Sequence, residues 1–125
     1  MKNRNVVFSV VLLILFFVAF IIRRWNEPVG KEAFNRHPKW LVYTKHALCR
    51  MACRHIDDKE IMEIMEKGII NFNKTNKRSR PCPTFAVQGR TTGGESLRII
   101  FAQCDTLTTV ITCYNLKEDF DCNCP

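Results

Sequence analysis

The sequence predicts an α+β protein: an N-terminal transmembrane helix, then two helices packed on a three- to four-stranded antiparallel sheet. Three observations predict this fold. Residues 6–22 are an apolar run, residues 44–68 have helical periodicity, and from residue 69 onward the apolar residues alternate or are β-branched. Helices followed by strands in this way are typical of α+β domains, in which the helices cover one face of the sheet.

The apolar run at residues 6–22 contains Ser9 as its one polar residue. With a rise of about 1.5 Å per residue, a helix of this length is near the lower limit for crossing a membrane. A cleaved secretory signal would end in small residues, whereas this run ends in the sequence AFIIRRW. We therefore interpret residues 1–25 as a retained signal anchor, which makes the membrane a partner of the chain through residues 6–22.

The charge of the chain gives little support to a nucleic-acid partner. The net charge is +7, but the basic residues that flank the apolar run account for four of those charges. Residues 25–125 hold 15 basic and 12 acidic side chains, which is an ordinary soluble surface.

A linker at residues 26–39 leads into a predicted domain at residues 40–116. The linker contains two prolines and a glycine and has no sustained period. The domain begins with a short extended segment, Trp40 to Tyr43.

Two helices follow this extended segment. Thr44 can cap the first helix, and Asp57, with Glu60 three positions later, caps the second. Gly68 supplies the residue tolerant of positive φ at which the second helix ends. At about 100° per residue, one contiguous arc of the first helix carries five polar side chains. These are His46, Cys49, Arg50, Cys53 and Arg54.

The remainder of the domain has the alternating pattern of β-strands. Strands are predicted at residues 69–72, 84–90, 97–102 and 108–116. The turn at residues 91–95 joins the second and third of these in a hairpin. Residues 117–125 then form a polar, cysteine-containing tail.

The string HALCRMACRHI at residues 46–56, followed by DDKEI and then Gly68, resembles the bacterial family catalogued as domain of unknown function 4258. The resemblance extends from about Leu41 to Leu116. It implies a small, toxin-associated domain with a RelE-like fold and a ribonuclease-like activity. The positions at which the resemblance implies functional residues are His46, Arg50 and Arg54.

As catalytic residues, these three would divide the chemistry between them. His46 would act as general acid or base, while Arg50 and Arg54, one and two turns further along the helix, would hold a phosphate. Arg90 or Arg98 could reach this site from the sheet. In the structural alternative, both arginines pair with acidic residues of the second helix and His46 caps or packs. The acidic residues in question are Glu60, Glu63 and Glu66. The sequence does not decide whether the protein is an enzyme.

Seven cysteines in a small domain predict a disulfide framework. Cys49 and Cys53 lie one helical turn apart, too far for the usual disulfide between them. We expect them to pair with Cys122 and Cys124, which alternate in the extended tail. Cys82 and Cys104 are the expected third pair, although six cysteines allow about 15 connectivities. Cys113, in the last strand, is then a free buried thiol.

A zinc site is the alternative for four of these cysteines. Cys49, Cys53, Cys122 and Cys124 could supply a tetrahedral set of thiolates, and zinc would then be the one cofactor. Their spacings differ from those of the commonest zinc knuckles, so we expect disulfides and no cofactor.

Two signals on membrane orientation disagree. The basic residues after the apolar run favour a cytoplasmic domain, whereas the cysteines favour an oxidising compartment. We follow the cysteines and expect a single-pass membrane protein with an extracytoplasmic domain that binds an unknown protein or an anionic partner. That location argues against a nucleic-acid partner. The alternatives are the ribonuclease-like domain and a structural zinc domain.

Overall fold

The computed structural model describes residues 2–25 and 34–125, which belong to two compact units. Residues 26–33, most of the predicted linker, lie outside the described residues. The first described range is one helix, α1 (Lys2–Trp25). From Asn3 to Trp25 this helix is long and apolar enough to cross a membrane, a property that it shares with secretory signal sequences.

The second unit is a sheet with two helices, which confirms the predicted α+β class. Its elements are β1 (Trp40–Tyr43), α2 (Lys45–Arg54), α3 (Asp58–Lys67), β2 (Ile69–Ile70), β3 (Thr84–Arg90), β4 (Ser96–Cys104) and β5 (Leu107–Asn115). The strand order across the sheet is β1-β5-β4-β3-β2.

The predicted sheet of three to four antiparallel strands was too small. The sheet has five strands and is mixed, because β1 pairs with β5 in parallel while the other pairs are antiparallel. Trp40 lies opposite Leu107 in this pairing. Local pattern indicates that a segment is extended, but it carries no information about a partner so far along the chain.

The helix ends explain why the chain turns where it does. Thr44 accepts a hydrogen bond from the Ala47 amide, and Asp57 with Glu60 forms a complete capping box. Gly68 ends α3 with φ −67°, so the expected positive φ was wrong. The glycine is needed for space, because a Cβ there would lie 2.4 Å from the Ile64 carbonyl oxygen. The left-handed residue is His55, which ends α2 with φ 56°.

The core lies between the two helices and one face of the sheet. Its most deeply buried large side chains are Phe85, Phe101, Ile61, Ile64, Leu97, Ile99, Val87 and Val110. Strand β4 alternates between buried and half-buried residues along its whole length, as expected of a strand with one face on a core.

A segment before β1 also belongs to this core. Phe34, which the sequence places in the linker, is buried with its ring centroid 5.3 Å from that of Phe85 and 5.6 Å from that of Phe101. The Asn35 amide donates to Gln103 Oε1 at 2.9 Å, and Arg36 donates to the Met65 carbonyl at the end of α3. The folded unit therefore begins at least six residues before β1.

Phe34→Ala should lower the free energy of unfolding by about 3 kcal/mol, because it removes a buried aromatic ring and leaves a cavity. The measurement is urea unfolding of the full-length oxidised protein in detergent, followed by circular dichroism. Phe72→Ala is the matched control, since Phe72 is 53% exposed and its loss should cost less than about 1 kcal/mol. Equal costs for the two variants would contradict the placement of Phe34 in the core.

Candidate functional site

The tail at residues 117–125 runs antiparallel along α2, over the arc of polar side chains. It forms no strand or helix. Contacts with α2, in order along the tail, are Phe120 on the His55 ring at 6.2 Å, Cys122 bonded to Cys53, Cys124 bonded to Cys49, and the Pro125 main-chain oxygen 2.6 Å from His46 Nδ1. The tail thus meets α2 from its last turn to its first.

Three disulfides are present. Cys49–Cys124 and Cys53–Cys122 join α2 to the tail, with Cα atoms 5.8 and 5.9 Å apart. Cys82–Cys104 joins the loop between β2 and β3 to the end of β4. The two tail bonds fit together because four residues of helix rise about 6 Å while two residues of extended chain span about 6.6 Å.

The zinc alternative has no support in this arrangement. A cysteine in a disulfide has no thiolate to offer a metal. Within residues 2–25 and 34–125, no group of three or more histidine, cysteine, aspartate or glutamate side chains is placed to hold a metal ion.

The structure brings His46 and Arg50 together. His46 is half-buried, and its Nε2 lies 3.4 Å from Arg50 Nε, which is a donor only. Its Nδ1 lies 2.6 Å from the Pro125 oxygen, which is an acceptor. Both contacts are satisfied by a neutral imidazole that carries its proton on Nδ1. His46 therefore points toward the tail and not into the core.

Arg54 lies at a different position and satisfies the edge of the sheet. The pairing of β1 with β5 stops at Val110, so β5 has no strand neighbour on that side beyond this residue. Arg54 donates to the Cys113 carbonyl, and the Thr44 hydroxyl donates to the Ile111 carbonyl. The Arg54 guanidinium also lies 5.0 Å from the centre of the Tyr114 ring.

Neither sheet arginine is part of the α2 face. Arg98 donates to Gln88 Oε1 at 3.0 Å, and it alternates along β4 with Leu97 and Ile99, which face the helices. Arg90 is exposed at the end of β3.

Two of the acidic side chains of α3, those of Glu60 and Glu63, are engaged elsewhere. Glu60 completes the capping box, and Glu63 accepts from both the amide and the hydroxyl of Thr92. These hydrogen bonds from Thr92 lower the pKa of the Glu63 carboxyl. Arg50 contacts His46, and Arg54 contacts Cys113 and Tyr114. The two arginines thus have structural contacts, but with partners other than the acidic residues that the sequence suggested.

Cys113 is the one free cysteine of the described chain, and it is fully buried in β5. Burial raises the pKa of its thiol to about 11, although the charges of Arg54 and Arg50 oppose the shift. A thiol with this pKa is almost entirely protonated at neutral pH and is a poor nucleophile.

Sequence reasoning identifies Phe120 as the one apolar residue of the tail, but it missed Pro125. Phe120 contacts His55, which ends α2, and the Pro125 oxygen contacts His46 in the first turn of α2. The available signal was the alternation of Cys122 and Cys124. If both cysteines bond to α2, the tail lies along the helix, and the residues next to these cysteines must lie there as well.

Comparison with known proteins gives a family and no individual relative. A family model described as "Domain of unknown function (DUF4258)" matches residues 43–115. No curated protein and no solved structure matches the chain.

Arg54→Met should lower the free energy of unfolding by about 1–3 kcal/mol, because it leaves the Cys113 carbonyl without its charged donor. Arg50→Met is the matched control and should change it by less than about 0.5 kcal/mol. Both are measured by urea unfolding of the oxidised full chain. If the two variants lose the same stability, Arg54 does not have the edge-satisfying role described here.

Proposed function

The chain belongs to the DUF4258 family, and on this premise we propose that it is a membrane-anchored, disulfide-stabilised binding module whose folded domain lies outside the cytoplasm. The observation that carries the proposal is the set of three disulfides in one small domain. Disulfides form and persist in oxidising compartments and are rare in the cytosol.

The helix α1 supports the anchor. It is 24 residues long, has no acidic residue in its first turn and carries Arg23 and Arg24 in its last turn. Such basic residues lie at the membrane surface when the preceding residues span the bilayer. An anchor also accounts for the charge of the chain, because the basic residues beside the helix then contact lipid headgroups.

Contacts within the chain favour binding over catalysis. His46 is engaged by the tail, through the Pro125 oxygen at its Nδ1, and Arg54 completes the sheet edge. We assign the surface for an anionic partner to the loop between β2 and β3. Its exposed basic side chains are Lys74, Lys77, Arg78 and Arg80. The Cys82–Cys104 bond ties the end of this loop to β4.

A reporter fused after Pro125 should be active only outside the cytoplasm. Alkaline phosphatase fused there should be active in intact bacterial cells, because this enzyme needs disulfides to fold. A fluorescent protein that matures only in the cytoplasm should give no fluorescence when it is fused at the same position. The matched control carries Arg23→Glu and Arg24→Glu, which removes positive charge after the anchor without touching the folded domain. This control should keep or increase phosphatase activity.

Non-reducing mass spectrometry of the same protein, isolated from membranes, should show six cysteines bonded and one free. A phosphatase fusion that is inactive, together with thiols that are alkylated without reductant, would refute the extracytoplasmic proposal.

A ribonuclease-like function is the second candidate, and the contact between His46 and Arg50 favours it. An imidazole with an arginine beside it could take a proton from a ribose hydroxyl while the guanidinium holds the phosphate. The Pro125 oxygen is hydrogen-bonded to His46 Nδ1, so the tail would have to leave before RNA could reach the imidazole.

The ribonuclease candidate predicts that His46→Ala abolishes cleavage of single-stranded RNA by protein whose tail has been released. His37→Ala is the control, because His37 is exposed in the segment before β1 and its backbone amide donates to Asn35 Oδ1. Cleavage is followed on a fluorescent oligonucleotide. Equal activity in both variants would eliminate the second candidate.

A further inference from the structure

The tail is held on α2 almost wholly by its two disulfides. It leaves β5 through an Asn115 side chain that accepts from the Lys117 and Glu118 amides, both at 2.9 Å. Beyond that point the described contacts with α2, apart from sulfur, are the Phe120 ring on His55 and the Pro125 oxygen at His46. The acidic side chains of the tail are exposed; these are Glu118, Asp119 and Asp121.

Two such contacts are too weak to order the tail by themselves. Fixing the backbone of a residue costs roughly 1–2 kcal/mol, and one hydrogen bond returns about 1 kcal/mol. The bonds Cys49–Cys124 and Cys53–Cys122 must therefore supply what the tail lacks, by keeping it near α2 in every state of the chain.

The four sulfur-bearing residues are also within reach of a reductant. Each of these cysteines is half-buried, and the chain on either side of Cys122 and Cys124 is exposed. Because the tail has no strand neighbours, it can move aside once both bonds are open.

We propose that the two tail disulfides are a reduction site, at which a dithiol reductant releases the tail and uncovers His46, beside Arg50. The partner is, by chemical class, a dithiol oxidoreductase or a small dithiol. The inference deepens the proposed function, because it rests on an oxidising environment to keep the tail closed and adds the means of opening it.

Reduction of both tail disulfides consumes two molecules of dithiol per chain. A thiolate of the reductant attacks one sulfur of Cys53–Cys122, the S–S bond breaks, and a mixed disulfide forms. The second thiol of the reductant resolves the mixed disulfide, so the reductant leaves as its own disulfide and the chain keeps two protonated thiols. The same exchange at Cys49–Cys124 consumes the second dithiol. The Pro125 oxygen then leaves His46, whose Nδ1 becomes open to solvent.

The Cys82–Cys104 bond is a natural control. Its neighbours stay in place without it, because the Gln103 amide donates to the Pro83 carbonyl at 3.0 Å and Thr84 pairs with Ala102. Loss of this bond should leave the tail and α2 unchanged.

The test uses the full chain in detergent micelles and reads the reaction of each histidine with diethyl pyrocarbonate by peptide mass spectrometry. In oxidised protein, His46 should react more slowly than the exposed His37. After dithiothreitol treatment and capping of thiols with iodoacetamide, the rate at His46 should rise to approach that at His37. A protease that cleaves after acidic residues should then also cut at Glu118.

Two variants separate tail release from reduction in general. In the fourfold variant, His46 should react fast with diethyl pyrocarbonate without any reductant. This variant carries Cys49→Ser, Cys53→Ser, Cys122→Ser and Cys124→Ser. The variant Cys82→Ser, Cys104→Ser should match the oxidised wild type. Hydrogen exchange of the β3–β5 amides monitors the fold and should be unchanged in each case.

Either of two results would overturn the proposal. In the first, His46 stays slow in both the reduced protein and the fourfold variant. In the second, His46 becomes fast only together with loss of protection across β3–β5, which means that the domain unfolds and the tail is not released separately. Both readouts are made on purified protein, so they are independent of the topology on which the proposed function depends.

Discussion

The architecture around α2 depends on a match in length: about one turn of helix rises as far as two residues of extended chain span. Sulfurs four residues apart on a helix and two residues apart on a strand have nearly the same spacing, so two bonds form side by side without bending either element. They close loops with sequence separations of 75 and 69. In the chain-entropy model one such loop is worth roughly 4 kcal/mol, and the second adds less because the first has already shortened it. A domain with one small core depends on a contribution of this size.

Strand β5 connects α2 and its two tail disulfides to the rest of the domain. It pairs with β4 along its whole length and with β1 over its first half, and side chains from Thr44 and Arg54 satisfy the carbonyls of its second half. Helix α2 is therefore fixed on three sides: by apolar packing through Ala47 and Met51, by polar contacts to the β5 edge, and by the tail disulfides. The polar contact made by Arg54 explains how a strand edge beside a helix avoids unsatisfied backbone groups.

The sequence was informative where structure is local and uninformative where it is not. Caps at Thr44 and Asp57 and the periodicity of α3 predict helices that the structure contains, because each signal lies within one turn of the residues that it orders. The parallel pairing of β1 with β5 joins residues about 67 positions apart, and Phe34 reaches the core through a segment with no period of its own. The sequence also could not predict the role of Arg54, because an arginine on a polar helix face can donate equally well to a phosphate, a carboxylate or the carbonyls of a strand edge.

The limits of the family match sharpen the question of function. The match covers residues 43–115, and it includes His46, Arg50, Cys49 and Cys53 but neither Cys122 nor Cys124. The face of α2 is thus part of the shared domain, whereas the segment that covers it in this chain lies beyond the match. The Pro125 oxygen contacts His46, and two covalent bonds hold the tail over this face, so a ligand for it would have to displace the tail. A ligand alone cannot displace a covalently attached tail, because each binding event would have to overcome a segment that never leaves the site. In the proposal made above, access of a ligand to the α2 face therefore depends first on the state of two sulfur–sulfur bonds, and only then on the residues beneath them.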